Sequence, residues 1–244
     1  MMYHSTRSKA LRCDSAQAVL EGLAADGGLY MPEKLPEFDW KTCLSGNSQT
    51  IATKILAALL PDIPNMQELV ARAYTGKFET EDLTPTVSVG DFHILELFRG
   101  PTSAFKDVAL SMLPQLLTAA KAEKGMTEDI MILTATSGDT GKAALAGFQD
   151  VPGIQICVFY PHGGVSQVQR SQMVTQEGGN VHVCAVEGNF DDAQTGVKNI
   201  FAAAVDGKLP GSYRLSTANS INIGRLAPQI TYYFKAYADL LRRG

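Results

Sequence analysis

Lys106, in the stretch FRGPTSAFKDVALSM, is the residue of this chain best placed for covalent chemistry. Laid on a helix, Phe105, Val108, Ala109, Met112, Leu113 and Leu116 recur at i, i+3, i+4, i+7, i+8 and i+11 and mark one buried stripe. Asp107, Ser111, Gln115 and Thr118 share the opposite face, expected to be wet. Lys106 starts at the edge of the stripe, beside Ala109, Leu110, Leu113 and Leu117. One reading is a snorkelling lysine, its stem on carbon and its ammonium in water. The other is a partly desolvated amine, whose lowered pKa leaves a neutral nucleophile able to form an imine with an aldehyde.

Three turns carry further chemistry. In TATSGDTGKAA, Ser137, Gly138, Asp139, Thr140 and Gly141 join an apolar strand to a helix, and the glycines let backbone N–H groups approach an anion. A phosphate-binding G-x-x-x-x-G-K-[ST] loop is excluded, because Thr136 and Ala143 stand where it needs a glycine and a hydroxyl. In TANSINIGR, Asn219, Ser220, Asn222 and Arg225 crowd a helix start. Ser and Asn are ordinary caps there, but Arg225 opposes the helix dipole unless an anion sits between them, which points to a carboxylate or phosphate. The third turn, YPHGGVSQ, offers Gly163, Gly164 and Ser166 between strand and helix, as an anion site or as an ordinary tight turn.

The elements that must hold these turns are legible as alternating strands and helices. DIMILTAT, IQICVFYP and VHVCAVEG read as strands, and KAALAGFQ, QVQRSQMVTQE and DDAQTGVKNIFAAAV as the helices between and after them, which implies a parallel sheet covered on both faces. A short strand and a long helix close the chain, the helix with an expected inner stripe of Leu226, Ile230, Tyr233, Phe234, Tyr237 and Leu241. Upstream, DSAQAVLEGL, QTIATKILAALLP and NMQELVARAYTG read as helices, with Asp14 or Ser15 capping the first, so the opening region is expected to be largely helical; TPTVSVGDFHILELF reads as strands. The division expected is 1–82 and 83–244.

Composition narrows the partners. The 244 residues are 45% hydrophobic and 19% charged, an ordinary globular mix, and 21 Lys+Arg against 25 Asp+Glu give a formal charge of −4. No basic run with interleaved aromatics and no apolar run of about 20 residues occurs, which argues against nucleic acid and membrane and for a small ligand. Cys13, Cys43, Cys157 and Cys184 and the four scattered histidines give no zinc spacing or disulfide framework, and MMYHSTRSKALRC lacks a signal-peptide core, so a cytoplasmic location is expected.

A lysine heading a helix, then strand-SGDTG-helix, then NSIN-x-x-R opening another helix, form an ordered set. The chain resembles threonine synthase, a pyridoxal-phosphate family of the tryptophan-synthase-β-like, type II fold. YHSTR and GLAADGGLYMPEKLP resemble its N-terminal segment, GPTSAFKD its cofactor-lysine motif, TATSGDTGKAA its substrate loop and ANSINIGRLAPQITYYF its phosphate-contacting helix. The resemblance implies a three-layer parallel-sheet α/β fold and a carbon–oxygen lyase that converts O-phospho-L-homoserine and water to L-threonine and phosphate by γ-elimination and β-replacement. It implies Lys106 as the lysine that carries pyridoxal phosphate, with Asp139 and Gly138 beside the cofactor. Ser137, Thr140, Ser220, Asn222 and Arg225 are implied on the substrate, in a monomer or homodimer. The family's S-G-N-F-G-type loop for the cofactor phosphate follows the helix that here ends at LLRRG, so the chain reads as the leading part of a longer enzyme, its sheet incomplete at the C-terminus. A serine or threonine dehydratase of the same fold and a non-catalytic relative are the rival readings. The dehydratase has no γ-phosphate for NSIN-x-x-R to hold.

Overall fold

The computed structural model describes residues 1–37, 39–205 and 213–243. The chain opens on strands β1 (Met2–Ser5) and β2 (Arg12–Asp14), helix α1 (Ser15–Glu21) and strand β3 (Tyr30–Pro32). The three strands pair antiparallel in the order β2-β1-β3. Their presence corrects the expected largely helical opening. Strands of three or four residues carry too little alternation to stand out, and β3 falls inside the GGLYMP stretch that reads as a breaker. The helices are present as expected. Asp14 caps α1 by accepting from the Gln17 N–H, and α2 (Trp40–Cys43), α3 (Ser48–Leu59) and α4 (Met66–Tyr74) follow. Strands β4 (Thr86–Val89) and β5 (Phe92–Leu95) then form an antiparallel hairpin.

The remainder is α5 (Asp107–Glu123), β6 (Ile130–Ala135), α6 (Asp139–Phe148), β7 (Ile154–Pro161), α7 (Gln167–Val174), β8 (Val181–Val186), α8 (Phe190–Val205), β9 (Arg214–Ser216) and α9 (Ile223–Leu241). The strands form one parallel sheet in the order β8-β7-β6-β9. A small cluster of Leu133, Ala135, Ala193 and Val197 packs α8 on the sheet. The main core draws on residues from both 1–82 and 83–244, among them Leu20, Ile55 and Leu69 with Leu110, Ile132 and Tyr232. Among the described residues no helix is long and apolar enough to cross a membrane, and no cluster of His, Cys, Asp or Glu could hold a metal.

One helix buries more than the face its apolar periodicity indicates, and another buries a partly different one. Helix α5 packs against α1, α4, α6 and α9, so Asp107 and Ser111 of the expected wet face are only 2% and 4% exposed, whereas Phe105 of the expected buried stripe is 40% exposed. The rest of that stripe, Val108, Ala109, Met112, Leu113 and Leu116, is buried as expected and Thr118 of the wet face is exposed; a stripe rule finds one packing face, and neighbours on several sides bury polar residues beyond it. In α9 the expected stripe is split: Leu226, Ile230 and Phe234 pack partly buried against the core, while Tyr233, Tyr237 and Leu241 face outward, Tyr233 and Leu241 at 66% and 55% exposure, and the fully buried side carries Arg225, Ala227, Thr231, Tyr232, Lys235, Ala238 and Asp239. Close approach explains the difference. A Cβ on Gly224 would lie 2.9 Å from Leu113 Cδ1 and 3.0 Å from Val19 Cγ1, so the start of α9 sits too near α5 and α1 for a large side chain.

Candidate active site at the β6/β9 crevice

The chain runs from β6 outward to β7 and β8, then returns through α8 to place β9 on the other side of β6. The strand order therefore reverses between β6 and β9, and in an open parallel sheet the crevice beyond the carboxyl ends of such a pair is where loops diverge and ligands fit. Two of the three turns singled out by sequence, residues 136–141 after β6 and 217–222 after β9, line that crevice. Asn219 ties them together: its Oδ1 accepts from the Ala135 N–H (3.1 Å) and its Nδ2 donates to the Ala135 carbonyl (2.8 Å). The side chain thus continues the β6–β9 ladder past the last paired residue, Ser216.

Lys106 reaches the crevice from the start of α5. The preceding loop is gathered by the buried Asp107 carboxylate, which accepts from the Thr102 N–H (2.8 Å), the Thr102 hydroxyl and the Ala104 N–H (3.3 Å). The Lys106 carbonyl accepts the first helical bonds, from the Ala109 and Leu110 N–H groups, and this fixes the direction of its side chain. Its Nζ lies 4.4 Å from the centre of the Phe105 ring and 4.0 Å from Asp139 Oδ2, with the side chain 20% exposed. Burial pulls the amine below the usual lysine range and the nearby Arg225 charge pulls the same way, while Asp139 and Asp107 oppose them.

The turn after β6 is organised by Thr136, buried at the strand's end. Its Oγ1 accepts from the Gly138 N–H (3.0 Å) and the Gly141 N–H (2.9 Å) and donates to the Gly138 carbonyl (3.1 Å). Gly138 has φ 144°, a conformation open to glycine, and the Gln169 side-chain amide occupies the space where a Cβ would stand. Asp139 begins α6 and is exposed toward Lys106.

The turn after β9 is organised by Asn222, which caps α9. Its Oδ1 accepts from the Gly224 N–H (2.8 Å), and its Nδ2 donates to the carbonyls of Val19 (3.0 Å) and Thr217 (3.1 Å). One turn on, Arg225 is 1% exposed. Its Nη1 donates to Gln229 Oε1, its Nε has no hydrogen-bond partner, and no carboxylate pairs with it among the described residues. Burial lowers its pKa to about 10. A buried guanidinium without a counter-ion among the described residues, near an amine of lowered pKa, leaves a positive charge that an anion would neutralise.

The chain is similar to known proteins over nearly its whole length. Residues 2–74 match the family model of the threonine synthase N terminus. Threonine synthase from Pseudomonas aeruginosa is 40% identical over 247 residues, covering 98% of this chain and 51% of that protein. The structure of PLP-bound threonine synthase from Brucella melitensis superposes with a TM-score of 0.84 at 38% identity, over 98% of this chain and 52% of that one. For threonine synthase from Escherichia coli the TM-score is 0.85 at 37% identity, over 98% and 54%. The chain is a relative of the threonine synthases. It spans about half the length of the curated relatives it matches.

In this relative of the threonine synthases, the residues expected at the site divide by what they do in the fold. Lys106, Asp139 and Arg225 meet electrostatically across the crevice. Ser137 and Ser220 are exposed on its two turns, Thr140 is half-buried at the start of α6, and Gly138 holds the bend. Asn222 has its amide fully engaged with backbone, so it shapes the turn rather than offering a free donor. The third turn does not present Ser166 as a free hydroxyl, because Ser166 and Gln169 form a reciprocal capping box at the start of α7. Sequence reasoning missed Thr136 and Gln169 as site-builders, and it placed Asn219 in its turn without the tie to Ala135. A polar residue directly ending an apolar strand was the available signal for Thr136; nothing local marked Gln169. A separate cleft of about 610 Å3 between residues 23–29 and α8, edged by Arg7 and Lys198, contains no buried ionisable side chain.

Proposed function

We propose that this chain carries the reactive lysine and the anion-binding arginine of a threonine synthase, acting on O-phospho-L-homoserine and water to give L-threonine and phosphate with pyridoxal phosphate as cofactor. The observation that carries this reading is Arg225, a buried cation with an unpartnered Nε and no carboxylate among the described residues. The residues present fit the cofactor: an amine of lowered pKa matches its aldehyde, and the Brucella melitensis relative is PLP-bound. Lys106 would hold it, with Asp139 and Gly138 alongside. When bound, pyridoxal phosphate supplies the aldehyde for the lysine and a ring that stabilises negative charge at the substrate α-carbon.

The chain's own groups divide the remaining work. Lys106 Nζ, kept below the usual lysine range by burial, takes the substrate α-proton as a neutral base, and Asp139 at 4.0 Å steadies the ammonium that results. Arg225 binds the substrate phosphate and stabilises the charge that grows on it as it leaves, a task suited to a planar, permanently charged fork. The hydroxyls of Ser137, Thr140 and Ser220 orient the substrate's carboxylate and phosphate from the rim, and Asn222 holds the second turn in place for them. Residues 1–82 form the N-terminal segment in this reading and 83–244 the leading portion of the cofactor-binding α/β domain. The location is the cytoplasm and the state a monomer or homodimer.

Borohydride reduction of the protein with pyridoxal phosphate, followed by peptide mapping, tests the assignment. The adduct is expected on Lys106 and absent in Lys106→Ala. Lys142 is the competitor, because burial also lowers its pKa and its Nζ meets Gln176 Oε1 at 2.5 Å in the same region of the fold. A reduced adduct on Lys142 would sink the assignment.

A further inference from the structure

We propose that Gln169, on α7, is a positioning residue that sets the charge facing Lys106 by holding the Asp139 carboxylate. The inference rests on Lys106 being the reactive amine. Gln169 Nε2 donates to Asp139 Oδ1 at 2.9 Å, and the other oxygen, Oδ2, stands 4.0 Å from Lys106 Nζ. Asp139 is 57% exposed and no other side chain among the described residues donates to it, so without Gln169 its carboxylate is at liberty to turn into water. Gln169 in turn is held at both ends of its amide. Its Oε1 accepts from the Ser166 N–H (3.1 Å) and its Nε2 donates to Asp139, while the Gln169 backbone N–H donates to Ser166 Oγ (3.2 Å). The absence of a side chain at Gly138 leaves room for the amide, since a Cβ there would come within 2.3 Å of Nε2.

The third glycine turn therefore acts on the site through a relay, not as an anion cradle. The capping box of α7 fixes Gln169, Gln169 fixes Asp139, and Asp139 faces the lysine. A glutamine is suited to the position because it accepts at one end and donates at the other; a glutamate would accept at both and repel the aspartate. Groups facing Lys106 from the surrounding elements are Asp139 from α6, Arg225 from α9 and Asp107 from its own helix, so Asp139 is the only one of these that Gln169 touches.

The test is an NMR titration of Lys106 after reductive 13C-methylation, with its resonance assigned by its loss in Lys106→Arg. In Gln169→Met, which keeps side-chain length and loses both amide bonds, the Lys106 midpoint should fall by about half a pH unit, the scale of one partly exposed unit charge 4 Å away. Asp139→Asn should move it in the same direction, and adding Gln169→Met to Asp139→Asn should change nothing further. Gln169 is half-exposed on a surface helix, and Gln169→Ala provides a second variant should methionine disturb the fold. A Lys106 midpoint unmoved in the folded single variant, or moved as much on the Asp139→Asn background, overturns the inference. The titration needs no cofactor. A wild-type protein that traps no pyridoxal phosphate overturns the proposed function, while the Gln169 relay is still decided by the titration.

Discussion

Replacing Arg225 by methionine should make the protein more stable and blind to phosphate. Burial has pulled the guanidinium down to about 10 from its ordinary, higher value, a difference that corresponds to about 3 kcal/mol against the charged form in the folded chain. The pKa is depressed on folding, so the charged-state penalty is fully present at neutral pH. The unfolded chain holds its proton longer, and stability rises as pH climbs above about 10. Methionine removes that penalty and forfeits the bond to Gln229, worth about 1 kcal/mol, which leaves a net gain of about 2 kcal/mol. For a chain of this size that is a rise in melting temperature of roughly 4–8 °C. Differential scanning calorimetry with and without inorganic phosphate reads both effects. Phosphate at about 100 times its dissociation constant should stabilise the wild type by about 2.7 kcal/mol and leave Arg225→Met unmoved. On the proposed function, Arg225→Lys in a full-length context keeps the charge and loses the fork, so use of O-phosphohomoserine should drop by roughly one to two decades with cofactor affinity little changed. A less stable Arg225→Met, or one stabilised by phosphate as much as the wild type, would refute the reasoning.

Two further predictions concern the scaffold. Thr136→Val keeps the shape of a buried side chain, leaves the Gly138 N–H unpaired and takes one of two acceptors from the Gly141 N–H, which keeps the Gly138 carbonyl, so urea unfolding should show a loss of about 1–3 kcal/mol, with Thr136→Ser restoring most of it; a valine variant within about 0.5 kcal/mol of wild type would mean the turn is held some other way. Asp239→Ala strands the buried Lys235, whose Nζ sits 2.6–2.7 Å from both Asp239 oxygens, and should cost about 3 kcal/mol or more by the same measurement unless Asp82 at 3.4 Å takes over the pairing.

The parallel sheet was legible because its strands are apolar runs broken by glycine-rich turns, a signal carried within ten residues on either side. The antiparallel β1–β3 sheet was not, since its pairing depends on contacts such as His4 with Met31 that no local window contains. Lys106, Asp139 and Arg225 stood out by type: a lysine at a stripe's edge, an acid in a glycine turn, a guanidinium opposed to a helix dipole. Thr136, Asn219 and Gln169 are common polar residues in strand ends and caps, and only their partners, Gly138 and Gly141 for the first, Ala135 for the second and Asp139 for the third, reveal the work they do. The buried face of α9 was partly misread for a related reason. Apolar periodicity locates greasy side chains, whereas tight helix contacts select small ones and paired charges.

That same face of α9 supplies a comparison that bears on what Arg225 is for. It buries two cations, Arg225 at 1% exposure and Lys235 at 2%. Lys235 is met by Asp239 on its own helix and by Asp82 from the loop after α4, so its charge is neutralised within the fold. Arg225, ten residues earlier on the same buried side, is given a neutral amide and no acid among the described residues. Structural need alone does not account for the difference, because an apolar side chain would fill the Arg225 position at lower cost. The position would become favourable if an anion arrived from outside, and it lies beyond the carboxyl ends of β6 and β9, where the proposed substrate phosphate would sit near Lys106. The fold builds in a counter-ion where the cation serves structure and withholds one where the ligand brings its own.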